Sequence, residues 1–234
     1  MSHGAGKDRL DIGPRCIIAS DVDLRGDITI GAGCVLHPRA TIVAVSGPIV
    51  LGSNNIIEEQ AIIVNRSKTV MDIGNDNHFQ VGSRVESPKI GSHNVFDIKS
   101  RTAFNVSIGS HCHIGPGCVV LPSPFPPAFV AGGPRSPVPP PLPPKDDDEY
   151  ETADGSGSAG GKSTSTMPSP LPELDNDTDP TIETLPDYTQ VYSSDNKRRA
   201  WSGEGSAQMK ALHTKHLVYL RETIPRYNKL KTFT

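Results

Sequence analysis

Hydrophobic positions in this chain recur every six residues. Aliphatic side chains stand at Ile12, Ile18, Leu24, Ile30, Leu36 and Ile42. After a slip in phase the spacing resumes at Leu51, Ile57 and Ile63, and again at Ile73, Phe79 and Val85. Ile90, Phe96 and Thr102 follow, and Ile108, Ile114 and Val120 close the series. An amphipathic helix needs a spacing near 3.6, and a two-sided strand needs strict alternation. A period of six satisfies neither. It predicts a triangular coil of three short strands, each burying one side chain at the axis, with about eighteen residues per turn.

A second register supports the coil. Each turn opens with an aliphatic–Gly pair: Ile12-Gly13, Ile30-Gly31, Leu51-Gly52, Ile73-Gly74, Ile90-Gly91 and Ile108-Gly109. Gly at one recurring corner is expected where a tight bend favours a residue without Cβ strain. Four residues after those aliphatics stand Cys16, Cys34, Asn55, Asn77, Asn94 and Cys112, small or amide side chains that fit inside a turn. Stacked Asn there can hydrogen-bond along the axis, and Cys118 holds the equivalent slot of the next face. The cysteines thus read as small buried packing residues, not as a disulfide or zinc framework. Extra residues after Ile42 and Ile63, and a missing one after Val85, all fall on the third face. Solenoids place insertions on one edge, often the binding edge.

The period breaks off after Val120. Residues 122–181 are Pro-rich, then acidic at Asp146 to Glu149, then rich in Gly and Ser, and are expected to form a disordered insertion. The repeat returns at Leu185 and Val191. From Ser206 to Ile224, Met209, Leu212, His216, Leu220 and Ile224 line one helical face with Leu217 beside them. Ser206 is the expected N-cap, and Pro225 follows the expected end. The predicted organisation is a flexible N-terminus (1–9), a β-helix (10–121), the insertion (122–181), a returning coil (182–194), a loop (195–205), a C-terminal α-helix (206–224) and a basic tail (225–234).

Composition narrows the function classes. Charged residues make up 21% of the 234 residues and the net charge is −3, which gives no reason to expect nucleic-acid binding. No apolar run reaches 18 residues, so no membrane insertion is expected. The polar N-terminus lacks a signal-peptide pattern, which leads to an expected location in the cytoplasm with reduced thiols.

Several stretches resemble the dynactin subunit 6 family. They are Leu24 to Gly31, His37-Pro38-Arg39-Ala40, Gly47-Pro48-Ile49-Val50-Leu51-Gly52, and Asn55-Ile56-Ile57-Glu58-Glu59-Gln60-Ala61. Asn94-Val95-Phe96 and the C-terminal Ile224-Pro225-Arg226-Tyr227-Asn228-Lys229-Leu230-Lys231 agree with them. The resemblance implies an all-β, left-handed parallel β-helix of hexapeptide repeats. It also implies a non-catalytic role in the pointed-end complex of dynactin, with a cytoskeletal location and a part in microtubule-based transport. The implied partners are dynactin subunit 5, other pointed-end subunits including the pointed-end actin-related protein, and, indirectly, dynein–dynactin cargo adaptors.

The rivals are enzymes of the same repeat. A γ-class carbonic anhydrase needs three His around zinc with one position open to water, and the slots that family would use hold Val43, Glu59 and Val64. Two valines cannot ligate. Arg25 and Asp27 resemble that family's Arg-x-Asp element and are expected to form a structural pair. A hexapeptide acyltransferase needs a catalytic His, for which His37 is the candidate. His111 and His113 could bind a metal adventitiously, and His213 and His216 read as ordinary helix-face residues. No catalytic residue, cofactor or metal is therefore expected. The candidate interaction surface is a stripe of outward β-branched residues, Ile17, Val35, Ile56 and Val95, which needs a cover: either the C-terminal helix or a partner.

Overall fold

The period of six winds the chain into coils of three parallel strands. The computed structural model describes residues 8–123 and 182–232. The first sheet runs from Arg9–Ile12 through Asp27–Ile30, Ile49–Leu51, Met71–Ile73, Lys89–Ile90 and Val106–Ile108 to Glu183–Leu185. The second contains Ile17–Ile18, Val35–Leu36, Ile56–Ile57, His78–Phe79, Val95–Phe96, His113–Ile114 and Thr189–Tyr192, and the third runs from Asp23–Arg25 to Val119–Val120. Register pairs put like on like: Ile12 on Ile30, Leu36 on Ile57, Ile42 on Ile63. The result is a left-handed parallel β-helix of hexapeptide repeats with a C-terminal helix.

The axial side chains form one continuous core, with Phe79 and Phe96 stacked at 4.8 Å between ring centres. Burying such side chains contributes roughly 1.5–3 kcal/mol each. Among the described residues Thr102 is the one hydroxyl in the axial series, and Ser87 donates to it at 2.8 Å, so the buried oxygen is not left unpaired.

The corners differ from expectation in their physical cause. The repeat glycines do not supply a left-handed bend. A Cβ on Gly31 would stand 2.5 Å from the Gly52 carbonyl carbon, and one on Gly52 would stand 2.6 Å from the Gly74 oxygen. Gly is required there because one coil's backbone rests directly on the next. The left-handed residues come two positions later, at Gly33, Asn54, Asp76, His93, His111 and Tyr188, where Asn, Asp and His tolerate positive φ better than most residues.

Inside the same corner runs a ladder of polar groups. Asn77 N–H donates to Asn55 Oδ1 at 2.9 Å, Asn94 N–H to Asn77 Oδ1 at 2.9 Å, and Cys112 N–H to Asn94 Oδ1 at 2.6 Å. Cys16 and Cys34 donate to the Gly31 and Gly52 carbonyls, each at 3.1 Å. The cysteines are free, and burial pushes the Cys112 thiol up to about 11. On the third face the two insertions brace each other, because buried Asn65 donates to the carbonyls of Pro48 and Thr69 at 2.9 and 2.8 Å.

Several expected boundaries move. Arg9 already pairs with Asp27, so the first strand begins inside the supposed flexible terminus. The expected loop 195–205 contains a strand, Lys197–Ala200, antiparallel to Thr189–Tyr192. This strand covers the last edge of the second sheet. At the opposite edge the C-terminal segment does the same: Lys231 N–H donates to the Ile18 carbonyl and Ser20 N–H to the Lys229 carbonyl, both at 2.8 Å. Capped edges do not template further strands. The expected insertion lies outside the described residues except for residues 122 and 123.

The helix spans Ser206–Tyr227. Its N-cap is Gly205 in a left-handed conformation with no side-chain cap bond, not Ser206. Pro225 lies inside it, because the last turn loses only one N–H donor, and Asn228 N–H still closes on the Ile224 carbonyl at 2.9 Å.

Candidate functional site

The second face is where the chain meets itself. Ile17, Val35 and Ile56 lie on successive strands of that face, and Leu217, Leu220 and Ile224 of the helix pack onto them as a second apolar cluster. The stripe read as a candidate interaction surface is thus covered by the chain's own helix at three of its four positions. Val95, the fourth, lines a cleft beyond the covered strip.

The buried helix face is rotated from the expected one. Met209 and Leu212 are 39% and 69% exposed, while His213, Leu217, Leu220 and Ile224 turn inward. Two polar anchors set this rotation. His213 Nε2–H donates to the Asn54 carbonyl at 2.8 Å, and Arg221 Nη2 reaches the Gly33 carbonyl at 2.5 Å and Asn54 Oδ1 at 3.1 Å. Both accept the helix at left-handed corners, where the backbone carbonyls turn outward.

Beyond the apolar strip the helix and the second face enclose a cleft of about 300 Å3. Six of the chain's eight histidines line it: His78, His93, His111, His113, His213 and His216. They arrive by repetition. His78 and His113 hold the same outward slot in different coils, and each is paired at 2.7 Å with a carboxylate of the coil before it, Glu58 and Asp97 respectively. His93 and His111 hold equivalent left-handed corners, and their rings stack at 4.9 Å, continued by Tyr188 on His111 at 4.7 Å. His216 and His213 approach His78 edge-on, at 5.3 and 6.3 Å between ring centres.

Burial holds the pKa of His213, His216 and His93 below the ordinary imidazole value, with neighbouring imidazoles adding to the effect. For Glu58 burial acts upward, but the hydrogen bond and charge of His78 outweigh it and the group ends below the usual carboxylate range. Among the described residues no three His, Cys, Asp or Glu side chains are grouped so as to hold a metal ion.

The zinc slots fall where the repeat places them. Val43 and Val64 are register partners on the third face, while Glu59 accepts a hydrogen bond from His37 Nδ1 at 2.9 Å. His37, the acyltransferase candidate, is buried. The expected pair of Arg25 with Asp27 does not form. Arg25 instead binds Asp23, with Nε–Oδ1 at 2.8 Å and Nη2–Oδ2 at 2.7 Å. Gly26, at φ 91°, turns the corner between them and carries Asp27 onto the first face, whereas Asp23 and Arg25 share one side of the same strand.

Hexad repeats, three parallel sheets and an internal polar ladder define a hexapeptide-repeat β-solenoid. Solved structures of that class align with this chain. A hexapeptide transferase family protein from Anaplasma phagocytophilum superposes with a TM-score of 0.53 at 8% identity, covering 91% of this chain and 96% of that one. A putative acetyltransferase from Bacillus cereus superposes with 0.51 at 11%, covering 92% of each. At such identities the likeness shows the fold alone. No family model matches the sequence. Among curated proteins, dynactin subunit 6 of Nematostella vectensis is 37% identical over 123 residues, spanning 48% of this chain and 67% of that protein. The Danio rerio and Dictyostelium discoideum proteins of the same name are 37% and 44% identical, and the chain spans 65% and 57% of their lengths. The chain belongs to the dynactin subunit 6 family.

Proposed function

We propose that this chain serves as a non-catalytic subunit of dynactin, in its pointed-end complex, working in the cytoplasm on the cytoskeleton. Its direct neighbours on this reading are dynactin subunit 5 and other pointed-end subunits, including the actin-related protein of that end. Dynein–dynactin cargo adaptors are met indirectly. The observation that carries the reading is the family match, with 37–44% identity in animals and in Dictyostelium. Val43 stacked on Val64 supports it from the side of chemistry, because a zinc-hydroxide site cannot be built on aliphatic side chains. His37 supports it too: its side chain is 11% exposed and its Nδ1 is engaged by Glu59, a poor position for a base that must reach an acyl acceptor between subunits. With Ile17, Val35 and Ile56 under the helix, the surfaces open to neighbours include the third face, the first-sheet edge at Arg9–Ile12, which pairs with no further strand among the described residues, and the cleft around Val95.

Native affinity purification of the full chain tests this reading. Dynactin components in stoichiometric yield are the expected result. A homotrimer free of dynactin, carrying one zinc per chain and hydrating CO2 above the buffer blank, would overturn it.

A further inference from the structure

The helix meets the solenoid through two unlike halves. Its C-terminal half is held by Leu217, Leu220 and Ile224 on an apolar strip. Its N-terminal half is held by His213 and His216, since Met209 and Leu212 remain exposed. The side chains facing this half are largely imidazoles. His78 stands edge-on to both, and His37 and His93 lie close enough to act on His216 and His213 through their charge. The carboxylates present are Glu58, already taken by His78 and the Val81 N–H, and Asp76, which lies 3.8 Å from His93. Asp97 farther along the cleft is taken by His113. Lys210 on the helix adds a further positive charge, acting on His93.

We propose that the C-terminal helix is an acid-released latch: protonation of His213 and His216 lifts it from the second face and bares the Ile17, Val35 and Ile56 strip. A proton placed on either helix imidazole meets desolvation and the neighbouring imidazoles, and together these outweigh the pull of Asp76 on His213 and of Glu58 on His216. His213 keeps its bond to the Asn54 carbonyl when protonated, since Nε2 is the donor in both forms. That bond favours the charged ring and so works against release, but burial outweighs it and the net shift of His213 stays downward. The linkage follows from the depressed values. Above the ordinary imidazole pKa of about 6.5 both docked and released helices carry neutral rings, and docking is unaffected. As pH falls below that value the released helix takes up protons first, so docking weakens progressively until the docked form titrates as well.

The release is read by hydrogen exchange on the full chain at pH 7.5 and 5.5, with labelling times scaled for the intrinsic pH dependence of exchange. The lower pH stays above the ordinary carboxylate range of about 3.9–4.3. Peptides from 206–227 are expected to lose protection by roughly tenfold or more at pH 5.5, while solenoid peptides around Ile57 and Phe79 keep theirs. The variant His213→Gln with His216→Gln retains a donor for the Asn54 carbonyl but cannot be protonated, and its helix is expected to be equally protected at both pH values. If that double variant is undocked at pH 7.5, His216→Gln alone is measured. It is expected to show a reduced pH response. Helix protection unchanged by pH in the natural chain would overturn the proposal. So would acid loosening that persists undiminished in the variants, or simultaneous loss from helix and solenoid. None of these outcomes depends on dynactin membership.

Discussion

Asn55 shows what a single residue contributes in a stacked fold. It is fully buried, donates to the Gly52 and Gly74 carbonyls at 2.8 and 2.9 Å, and accepts the N–H of Asn77. Asn55→Ala removes all three bonds at once and leaves an N–H and two carbonyls of the corner without that partner. The expected loss is at least about 2 kcal/mol, since each buried group left unpaired costs about 1–3 kcal/mol. Urea unfolding followed by circular dichroism reads it, and an unchanged midpoint would show that the ladder is ornamental. The slot was legible in the sequence because Cys and Asn recur at one phase of the coil. The reason for the neighbouring glycines was not legible. A period can show that Gly recurs, but only the 2.5 Å that would separate a Cβ on Gly31 from the Gly52 carbonyl carbon shows that space, not φ, excludes a side chain. Arg25 failed for a related reason: the resemblance to an Arg-x-Asp element suggested Asp27, and the turn at Gly26 separates them.

The helix shows the limits of pattern reading for an element. Its existence was plain, and the apolar stripe on the second face that needed a cover was plain too. Which side of the helix faces inward was not, because two polar contacts to backbone carbonyls, through His213 and Arg221, rotate it away from Met209 and Leu212. Side chain-to-backbone anchors of this kind leave no hydrophobic signature in the sequence. The histidine cleft was missed in the same way. His78 with His113, and His93 with His111, share outward repeat phases visible in the sequence, but the helix had to be laid on the second face before His213 and His216 could join them. The apolar half of the contact makes its own prediction. Leu220→Ala leaves a void worth about 2–5 kcal/mol at a buried leucine, and this loss falls on docking of the helix, not on the coils. Trypsin should then cut faster after Lys215 and Arg221, with the melting of the solenoid unchanged. Equal cleavage rates would mean that the helix is held by its polar anchors alone.

At the scale of the whole molecule, each coil is supported by its neighbours, so stability is approximately a sum of coil and interface terms. One axial position therefore matters to the coils on both sides of it. Ile57 is fully buried, with Leu36 below it and Phe79 above it in register. Arg101 lies on a third-face strand, exposed, in register with Arg84 on one side and Val119 on the other. Ile57→Asp and Arg101→Asp both place a carboxylate on a solenoid strand and differ in which way the side chain points. In the first, an unpaired charge is taken from water into an apolar axis, which costs several kcal/mol or forces the coil open. In the second, a carboxylate replaces one of two adjacent like charges at a solvated position, where substitutions stay within about 0.5 kcal/mol. Hydrogen exchange should show loss of protection spreading from Ile57 into the flanking coils, through Leu36 and Phe79, while the Arg101 variant keeps the natural pattern. Loss confined to the strand Ile56–Ile57 would mean that the coils are independent, and the solenoid would then lack the cooperativity that its continuous core implies.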